Sequence, residues 1–191
     1  SGWRVMAPSN AFDYIGLFNT ALTLADPVLI IEHGMLYPNE DRVPSDTSTY
    51  CVPYGSARVV RPGNAVTVLT YLNCVAKCQQ AADELAAAGI EAEVIDLRTL
   101  DYTGMDYATL AASLAKTGAA LIVEEAPRSL GIGGRLADEL QARCFDTLDA
   151  PVGHYTAPDV PSPVSRALED TFLPSVAGIR AAIERLARRQ V

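Results

Sequence analysis

The fold class of this chain is decided by two stretches of sequence, Glu93-Val94-Ile95-Asp96-Leu97-Arg98-Thr99-Leu100 and Val123-Glu124-Glu125-Ala126-Pro127-Arg128. In each stretch a short apolar run is followed by charged residues. This pattern is typical of a strand that is buried in a sheet and becomes polar where it leaves it. Ligands and partners of open α/β sheets bind at that carboxyl edge. The two stretches therefore predict an α/β fold with functional groups at strand ends.

Composition limits both the class of protein and its partners. The chain has 191 residues, of which 49% are hydrophobic and 20% charged, a profile typical of a globular protein with a sizeable core. Its formal net charge of −8 argues against nucleic acid and against an anionic membrane as partners, but it fits a basic protein partner. Neither a signal peptide nor a long apolar span is found, so we expect a soluble, cytoplasmic protein.

Strands and helices alternate regularly after residue 56. Strands alternating with helices form crossover units, which give a parallel sheet covered by helices on both faces. The turn Pro62-Gly63-Asn64 joins the first two strands tightly, so we expect this pair to be antiparallel. The predicted fold class is a three-layer α/β/α domain with a mostly parallel sheet and one antiparallel strand. The predicted strands are 57–61, 65–71, 92–97, 120–123 and 152–155, and the predicted helices are 75–88, 107–116, 134–145 and 177–189.

The first residues read as part of another domain. A strand is predicted at residues 1–8, a helix at 11–24 with Ser9 or Asn10 as its cap, and a strand at 28–32. Two strands and one helix leave a sheet edge and two faces uncovered. We therefore expect residues 1–37 to be the end of a domain whose larger part is absent, residues 38–51 to be a polar linker, and residues 52–191 to be the main domain.

Four cysteines, at positions 51, 74, 78 and 144, raise the question of a metal site. Cys74 and Cys78 are four residues apart on a predicted helix and can share one face. A zinc site needs further ligands, and His33 and His154 are the only histidines in the sequence. We therefore interpret the cysteines as small buried apolar side chains in a reducing cytosol.

The order of the motifs resembles the C-terminal half of the beta subunit of 2-oxo acid dehydrogenase decarboxylating components. These are thiamin-diphosphate enzymes of the pyruvate, branched-chain or acetoin type, with a transketolase-like C-terminal domain. The resemblance is collinear over essentially the whole chain. It is carried by Val-Met-Ala-Pro-Ser at 5–9, Ile-Glu-His at 31–33, Val-Pro-Tyr-Gly-Ser-Ala at 52–57, Val-Thr-Val-Leu-Thr-Tyr at 66–71, Val-Ile-Asp-Leu-Arg-Thr-Leu at 94–100, Lys-Thr-Gly at 116–118, Glu-Glu-Ala-Pro-Arg at 124–128, Leu-Asp-Ala-Pro-Val at 148–152, Ala-Pro-Asp at 157–159 and Leu-Glu-Asp-Thr-Phe-Leu-Pro at 168–174.

The resemblance implies a function for a parent protein. The parent would decarboxylate a 2-oxo acid and reductively acylate a lipoyl group of the pyruvate dehydrogenase type of multienzyme complex. In the family the catalytic glutamate and histidine lie in a pyrimidine-binding domain, of which residues 1–37 would be the end, and they match positions upstream of Ser1. The family's thiamin diphosphate and magnesium are bound by an alpha subunit or a fused upstream domain. We therefore expect no catalytic residue and no bound cofactor in this fragment, whether it arose by design or by proteolysis.

Two departures from the family pattern leave the branch open. Leu72 stands where a glycine is common, and residues 101–106 replace a usual Pro-hydrophobe-Asp turn. Another thiamin enzyme of the transketolase group, such as a ketol transferase or a deoxyxylulose-phosphate synthase, is one alternative. A non-catalytic interaction domain is the other. The sequence does not specify which 2-oxo acid the parent uses.

Glu32 and His33 leave a predicted strand end together. A histidine beside a carboxylate can be tuned for proton transfer, so these two residues are weak catalytic candidates. The alternative is a hydrogen-bonded pair at a domain seam.

A structural potassium ion is implied by some family members. In them the segment matching residues 21–26 supplies backbone carbonyls, and carbonyl oxygens suit a large, hard cation. The matching positions are Ala21, Leu22, Leu24 and Asp26.

A glycine-rich loop at residues 131–134 lies between a predicted strand and a helix. Backbone N–H groups at a helix start can bind phosphate, but the spacing is neither that of a dinucleotide site nor that of a P-loop. In the family this loop packs at the subunit interface. The interface candidates are Gly131, Gly133, Gly134 and Arg135.

Partner docking is the last function that the resemblance implies. Family members form a homodimer through the C-terminal domain, and the small basic peripheral-subunit-binding domain of the lipoyl acyltransferase sits across the twofold axis. An acid matching Asp149 meets an arginine of that domain, and the chain's C-terminal end, Val191, lies close by. Arg188 and Arg189 would repel such a partner unless they point away. The alternative is that Asp149 only caps a turn.

Overall fold

The computed structural model describes residues 2–189. Within this range the chain forms strands and α-helices that alternate along most of its length. The strands are β1 (Arg4–Met6), β2 (Val28–Ile30), β3 (Arg58–Arg61), β4 (Val66–Thr70), β5 (Ala92–Asp96), β6 (Ala120–Pro127) and β7 (Gly153–Ala157). The helices are α1 (Ala11–Ala21), α2 (Cys74–Ala86), α3 (Tyr107–Thr117), α4 (Gly133–Cys144), α5 (Arg166–Phe172) and α6 (Val176–Ala187), with 3-10 turns at Gly34–Leu36 and Phe145–Thr147.

The chain divides into two compact units. The first consists of the described residues up to Arg58, together with Tyr71–Asn73 and Asp96–Asp106. The second consists of Val59–Thr70, Cys74–Ile95 and the described residues from Tyr107 onwards. None of the helices in residues 2–189 is long and apolar enough to cross a membrane.

In the first unit, β1 and β2 form a parallel pair in which Val5 is opposite Leu29. Helix α1 begins after Asn10, whose side chain accepts a 2.8 Å hydrogen bond from the backbone N–H of Asp13. Asn10 is thus one of the two caps expected from the sequence, and it satisfies a donor that the first helical turn leaves free. A small core forms around Met6, Leu17 and Val52.

The second unit carries a five-stranded sheet in the order β3-β5-β4-β6-β7. Strand β6 is parallel to both β4 and β7. Strand β3 is the antiparallel member, because the Arg61 guanidinium at its end donates a 2.8 Å hydrogen bond to the carbonyl of Ala92, where β5 begins. The predicted fold class, a mostly parallel sheet with one antiparallel strand, is confirmed.

The predicted antiparallel pairing of β3 with β4 is wrong. Strand β5 lies between them, so the turn at residues 62–65 crosses over its start. The backbone N–H groups of Asn64 and Ala65 both donate to the carbonyl of Glu91, at 2.8 and 2.9 Å. Gly63 makes this crossing possible, because a Cβ at this position would lie only 2.5 Å from the backbone nitrogen of Glu93.

Helices cover both faces of this sheet. Val66 and Val68 of β4 and Leu121 and Val123 of β6 belong to a core that includes residues of α2 and α6. Thr67, between the two valines, bonds instead to the Ser113 hydroxyl of α3 at 2.6 Å. Because successive side chains of a strand point to opposite faces, α2 and α6 lie on one side and α3 on the other.

Helix α5 was not predicted from the sequence, and its surroundings explain why. None of its residues is buried, so it lacks the apolar stripe by which an amphipathic helix is recognised. The other helices each bury several residues on one face, and their ends fall within three residues of the predicted ends.

The start of helix α4 depends on a side chain from β6. Ile132 at the N-cap position makes no side-chain cap, but the carboxylate of Glu124 accepts hydrogen bonds from the backbone N–H groups of Ile132 and Gly133, at 3.1 and 3.0 Å. A negative charge is favourable at a helix N-terminus. The carboxylate fits because Gly131 and Gly133 have no side chains, and a Cβ at Gly133 would lie 2.6 Å from Oε1 of Glu124.

We expect opposite effects from alanine at two neighbouring glycines. Gly133→Ala displaces the buried Glu124 carboxylate and should destabilise the fold by about 1–3 kcal/mol, the cost of overpacking or of lost cap hydrogen bonds. Gly134→Ala should stabilise it by roughly 0.5 kcal/mol, since a Cβ there meets nothing within 4 Å and alanine favours the helix. Urea unfolding of the two variants and the wild-type chain measures both, and equal signs would contradict the account.

Candidate functional site

Asp96, one of the three charged residues of the first opening stretch, is fully buried in the first unit. It accepts hydrogen bonds from the Ser9 hydroxyl and from the backbone N–H of Arg98, the latter at 3.2 Å. Burial raises the pKa of Asp96 to about 6, in spite of the Ser9 hydrogen bond, which lowers it. A carboxyl group that titrates near neutrality is the kind that can move a proton, but this one is enclosed by protein.

Arg98 links this cluster to helix α1. Its backbone is left-handed, with φ +57°, and its guanidinium Nη2 lies 2.6 Å from Oδ1 of the fully buried Asp13. Arg58 pairs with the other carboxylate oxygen of Asp13 at 3.3 Å. A buried charge needs such partners, because removing an isolated ion from water costs on the order of several kcal/mol. The ion pairs therefore hold α1 against the loop that follows β5. Both oxygens of the Asp13 carboxylate are paired with arginines within the cluster.

Three acids at the strands of the second unit, Glu93, Glu124 and Glu125, are also paired within the chain. The buried Glu93 accepts from Lys116 and from Ser113; burial acts to raise its pKa, but these donors outweigh it and the pKa lies below the usual range. Glu125 pairs with Lys77 at 3.3 Å. Glu124 caps α4, so its carboxylate fills the place at the helix start where an external anion would bind.

Glu32 and His33 each form a hydrogen bond with another residue. The Tyr14 and Tyr37 hydroxyls donate to Glu32 and lower its pKa, the Tyr37 bond being 2.7 Å long. His33 Nδ1 accepts from the backbone N–H of Met35 at 3.2 Å and begins the 3-10 turn. These contacts fit the alternative of a hydrogen-bonded strand end, and the catalytic role stays a prediction.

The potassium candidates lie in the turn after α1. The Ala21 carbonyl accepts a 3.2 Å hydrogen bond from the N–H of Leu24, and Leu22 donates its own N–H to Phe18. The Asp26 carboxylate forms an ion pair with Arg4 at 2.6 Å. These contacts leave the proposal of carbonyl ligation untested, and it stays a prediction.

The interface candidates surround the cap of α4. Gly131 and Gly133 give room to Glu124, Gly134 is exposed, and Arg135 is half-buried. Next to them a groove of about 310 Å³ is lined by Pro127, Ser129, Leu130, Asp159, Val160 and Pro161.

The docking candidate Asp149 is exposed and forms an ion pair with Arg189 at 3.1 Å. The arginine therefore points towards the acid. This arrangement is unfavourable for a basic partner, because the arginine would repel it. Val191, the other docking candidate, lies outside the described residues.

The cysteines are all free, and three of the four are buried. Burial raises the pKa of Cys74 to about 12 and that of Cys78 well above its usual value. Cys51 differs from the expectation, because it is exposed. Across residues 2–189, no group of three or more histidine, cysteine, aspartate or glutamate side chains could hold a metal ion.

Sequence reasoning missed three functional contacts, each for a physical reason. The cap supplied by Glu124 spans eight residues, the pair of Asp149 with Arg189 spans 40, and the groove joins residues 127–130 to 159–161. Local patterns do not report such separations. Only the glycines at 131 and 133 signalled that something packs closely against the loop.

Comparison with known proteins places the chain in a family. A model of the transketolase C-terminal domain matches residues 55–179. The beta subunit of acetoin:2,6-dichlorophenolindophenol oxidoreductase from Cupriavidus necator is 38% identical over 95% of this chain and 52% of that protein. The pyruvate dehydrogenase E1 component subunit beta of Staphylococcus aureus is 37% identical over 91% of this chain and 52% of its own length.

A solved structure shows the same fold. A chain described as split gene transketolase, inactive beta4 tetramer, superposes with a TM-score of 0.77 at 22% identity, covering 100% of this chain and 59% of its own. The present chain thus spans about half the length of the curated relatives it matches. Because the family model covers well over half of its residues, the chain belongs to the transketolase C-terminal domain family.

Proposed function

We propose that this chain is the C-terminal half of the beta subunit of a 2-oxo acid dehydrogenase decarboxylating component. One observation carries the proposal, namely 37–38% identity to two such beta subunits over more than nine-tenths of the chain. The parent would decarboxylate a 2-oxo acid and transfer the acyl group to lipoyl groups. In that parent this half would serve subunit assembly and docking.

The cofactor of the parent would be thiamin diphosphate with magnesium, and the described residues do not fit either group. They offer no cluster of three carboxylate or imidazole ligands for a metal. The glycine-rich loop, where a diphosphate would find helix N–H groups, already holds the Glu124 carboxylate. We therefore derive no catalytic step in this half.

We expect the chain alone to bind thiamin diphosphate weakly and to lack decarboxylase activity. Calorimetric titration with the cofactor and magnesium should show no binding at micromolar concentrations. Micromolar affinity would overturn the assignment of the cofactor to the other half of the parent.

Self-association through the second unit is the second part of the proposal. Leu130 is 82% exposed beside the groove, and Val160 and Val164 are exposed as well. Contiguous exposed apolar side chains mark interaction surfaces. The structural neighbour is itself described as a tetramer of beta subunits, and as inactive. The loop with Gly131, Gly133, Gly134 and Arg135 follows directly after Leu130.

Sedimentation should show a homodimer at tens of micromolar protein, burying at least about 1,200 Å² in total, as a specific interface does. Leu130→Glu should shift the chain to monomer, because a charge would be buried in an apolar contact. Leu22→Glu is the matched control, because Leu22 is an exposed leucine of the first unit, 71% exposed against 82% for Leu130. A wild-type monomer would contradict the proposal.

An alpha subunit or a fused upstream domain would cover the first unit. The parallel pair of β1 and β2 has only two strands, which do not form a stable sheet alone. Trp3, Leu29 and Phe18 are large apolar side chains that are exposed on this unit. A partner that packs over them would bury this surface.

The third part of the proposal is docking of the basic peripheral-subunit-binding domain of the lipoyl acyltransferase. Asp149 is exposed, as a docking acid must be, and the chain carries a net charge of −8, which steers a basic partner towards it.

Asp149→Ala should weaken binding of that domain by roughly 1–3 kcal/mol, the cost of losing one charge-assisted hydrogen bond, and should reduce the salt dependence of binding. Asp146→Ala is the matched control, because it removes an exposed acid three residues away. Calorimetry at low and high salt measures both variants. Equal affinities of Asp149→Ala and the wild-type chain would remove Asp149 from the docking site.

A further inference from the structure

Arg189 is held beside Asp149 by contacts that do not involve the acid. Its guanidinium Nη2 donates to the Thr117 carbonyl at 2.8 Å, and Nη1 donates to the Leu186 carbonyl at 3.2 Å. These carbonyls end helices α3 and α6, where a positive charge is favourable. Arg189 has φ +54°, a left-handed conformation that glycine usually adopts after a helix. The chain thus accepts backbone strain where the side chain makes these bonds.

Asp149, in contrast, does not need Arg189 for its position. Its backbone N–H donates to the Gly118 carbonyl at 2.8 Å, which fixes this residue to the end of α3. Gly118 has φ +67°, and a Cβ there would overlap Oδ2 of Asp149. The close approach is therefore built into the backbone and would persist without the arginine.

The ion pair between Arg189 and Asp149 changes the electrostatic potential that a partner encounters at this surface. Arg189 Nη2 lies 3.1 Å from Oδ2 of Asp149, and the acid side chain stays 66% exposed while the arginine is 34% exposed. A cation at this distance cancels most of the potential of the carboxylate. It also occupies one of the two oxygens that a bidentate arginine would use.

We infer that Arg189 competes with the cationic residue of the docking partner for Asp149, so that this arginine of the same chain lowers the affinity of the docking surface. This inference rests on the proposed docking function. The surface would select a partner that presents an arginine able to bind Asp149 more strongly than Arg189 does and so displace it. A lysine, a point charge without a planar fork, would do so less well.

The test measures affinity for the isolated peripheral-subunit-binding domain of the lipoyl acyltransferase from the same organism, by calorimetry at two salt concentrations. Arg189→Gln should bind about twofold to fivefold more tightly than the wild-type chain at low salt, since it removes a surface ion pair of the ordinary strength. The gain should shrink at high salt, because screening weakens the freed charge.

Arg188→Gln is the matched control. It removes the same charge one residue earlier, but Arg188 pairs with Glu184 rather than with Asp149. We expect it to change affinity by less than twofold. Equal gains from the two variants would reduce the effect to net charge and overturn the inference. Unchanged or weaker binding by Arg189→Gln would overturn it as well.

Asp149→Asn separates this inference from the proposed docking. If Asp149→Asn weakens binding but Arg189→Gln does not strengthen it, docking stands and competition is refuted. If Asp149→Asn leaves affinity unchanged, both fail. Circular dichroism and thermal unfolding of all three variants verify that each is folded, which we expect because the substituted side chains are exposed or half-buried.

Discussion

A buried carboxylate needs hydrogen-bond donors, and much of this structure depends on which groups donate to it. Glu124 receives the two backbone N–H groups that begin α4. Asp13 receives two guanidinium groups, and Asp96 receives a hydroxyl and a backbone N–H. Each of these acids joins segments that are distant in sequence. These buried acids resemble catalytic groups, but they fix the helix starts and the loops around them.

The charged residues of the most recognisable family motifs therefore stabilise the fold of this chain, and none of them is assigned a chemical role. Several charged residues of the two opening stretches are paired within their own unit, namely Arg98 with Asp13, Glu93 with Lys116 and Glu125 with Lys77, whereas Arg128 is exposed. The exposed surface of the second unit includes apolar side chains around Leu130 and the polar corner formed by Asp149 and Arg189. Surfaces of this composition suit contacts between proteins.

Periodicity in the sequence predicted the fold well, because two-sided burial of a sheet leaves a strong apolar signal. The strands β4 and β5 are examples, since their ends fall within one residue of the predicted ends. Strand β6 was predicted at 120–123, but it continues through Pro127 because the sequence becomes polar before the strand ends. Strand order was harder, since the turn at residues 62–65 looks like a hairpin although β5 lies between its strands. The details of the site were hardest. The partner of Asp149 is 40 residues away, and no local pattern connects Gly118 with either residue.

The distribution of the four thiols has a practical consequence. Three are enclosed in the core of the second unit or against it, whereas Cys51 lies exposed in the first unit. A maleimide dye or a nitroxide would therefore attach to the natural chain at a single, known place. Spectroscopy of such a labelled chain needs no engineered cysteine, and the distance between two labels would report directly on how copies are arranged in an assembly.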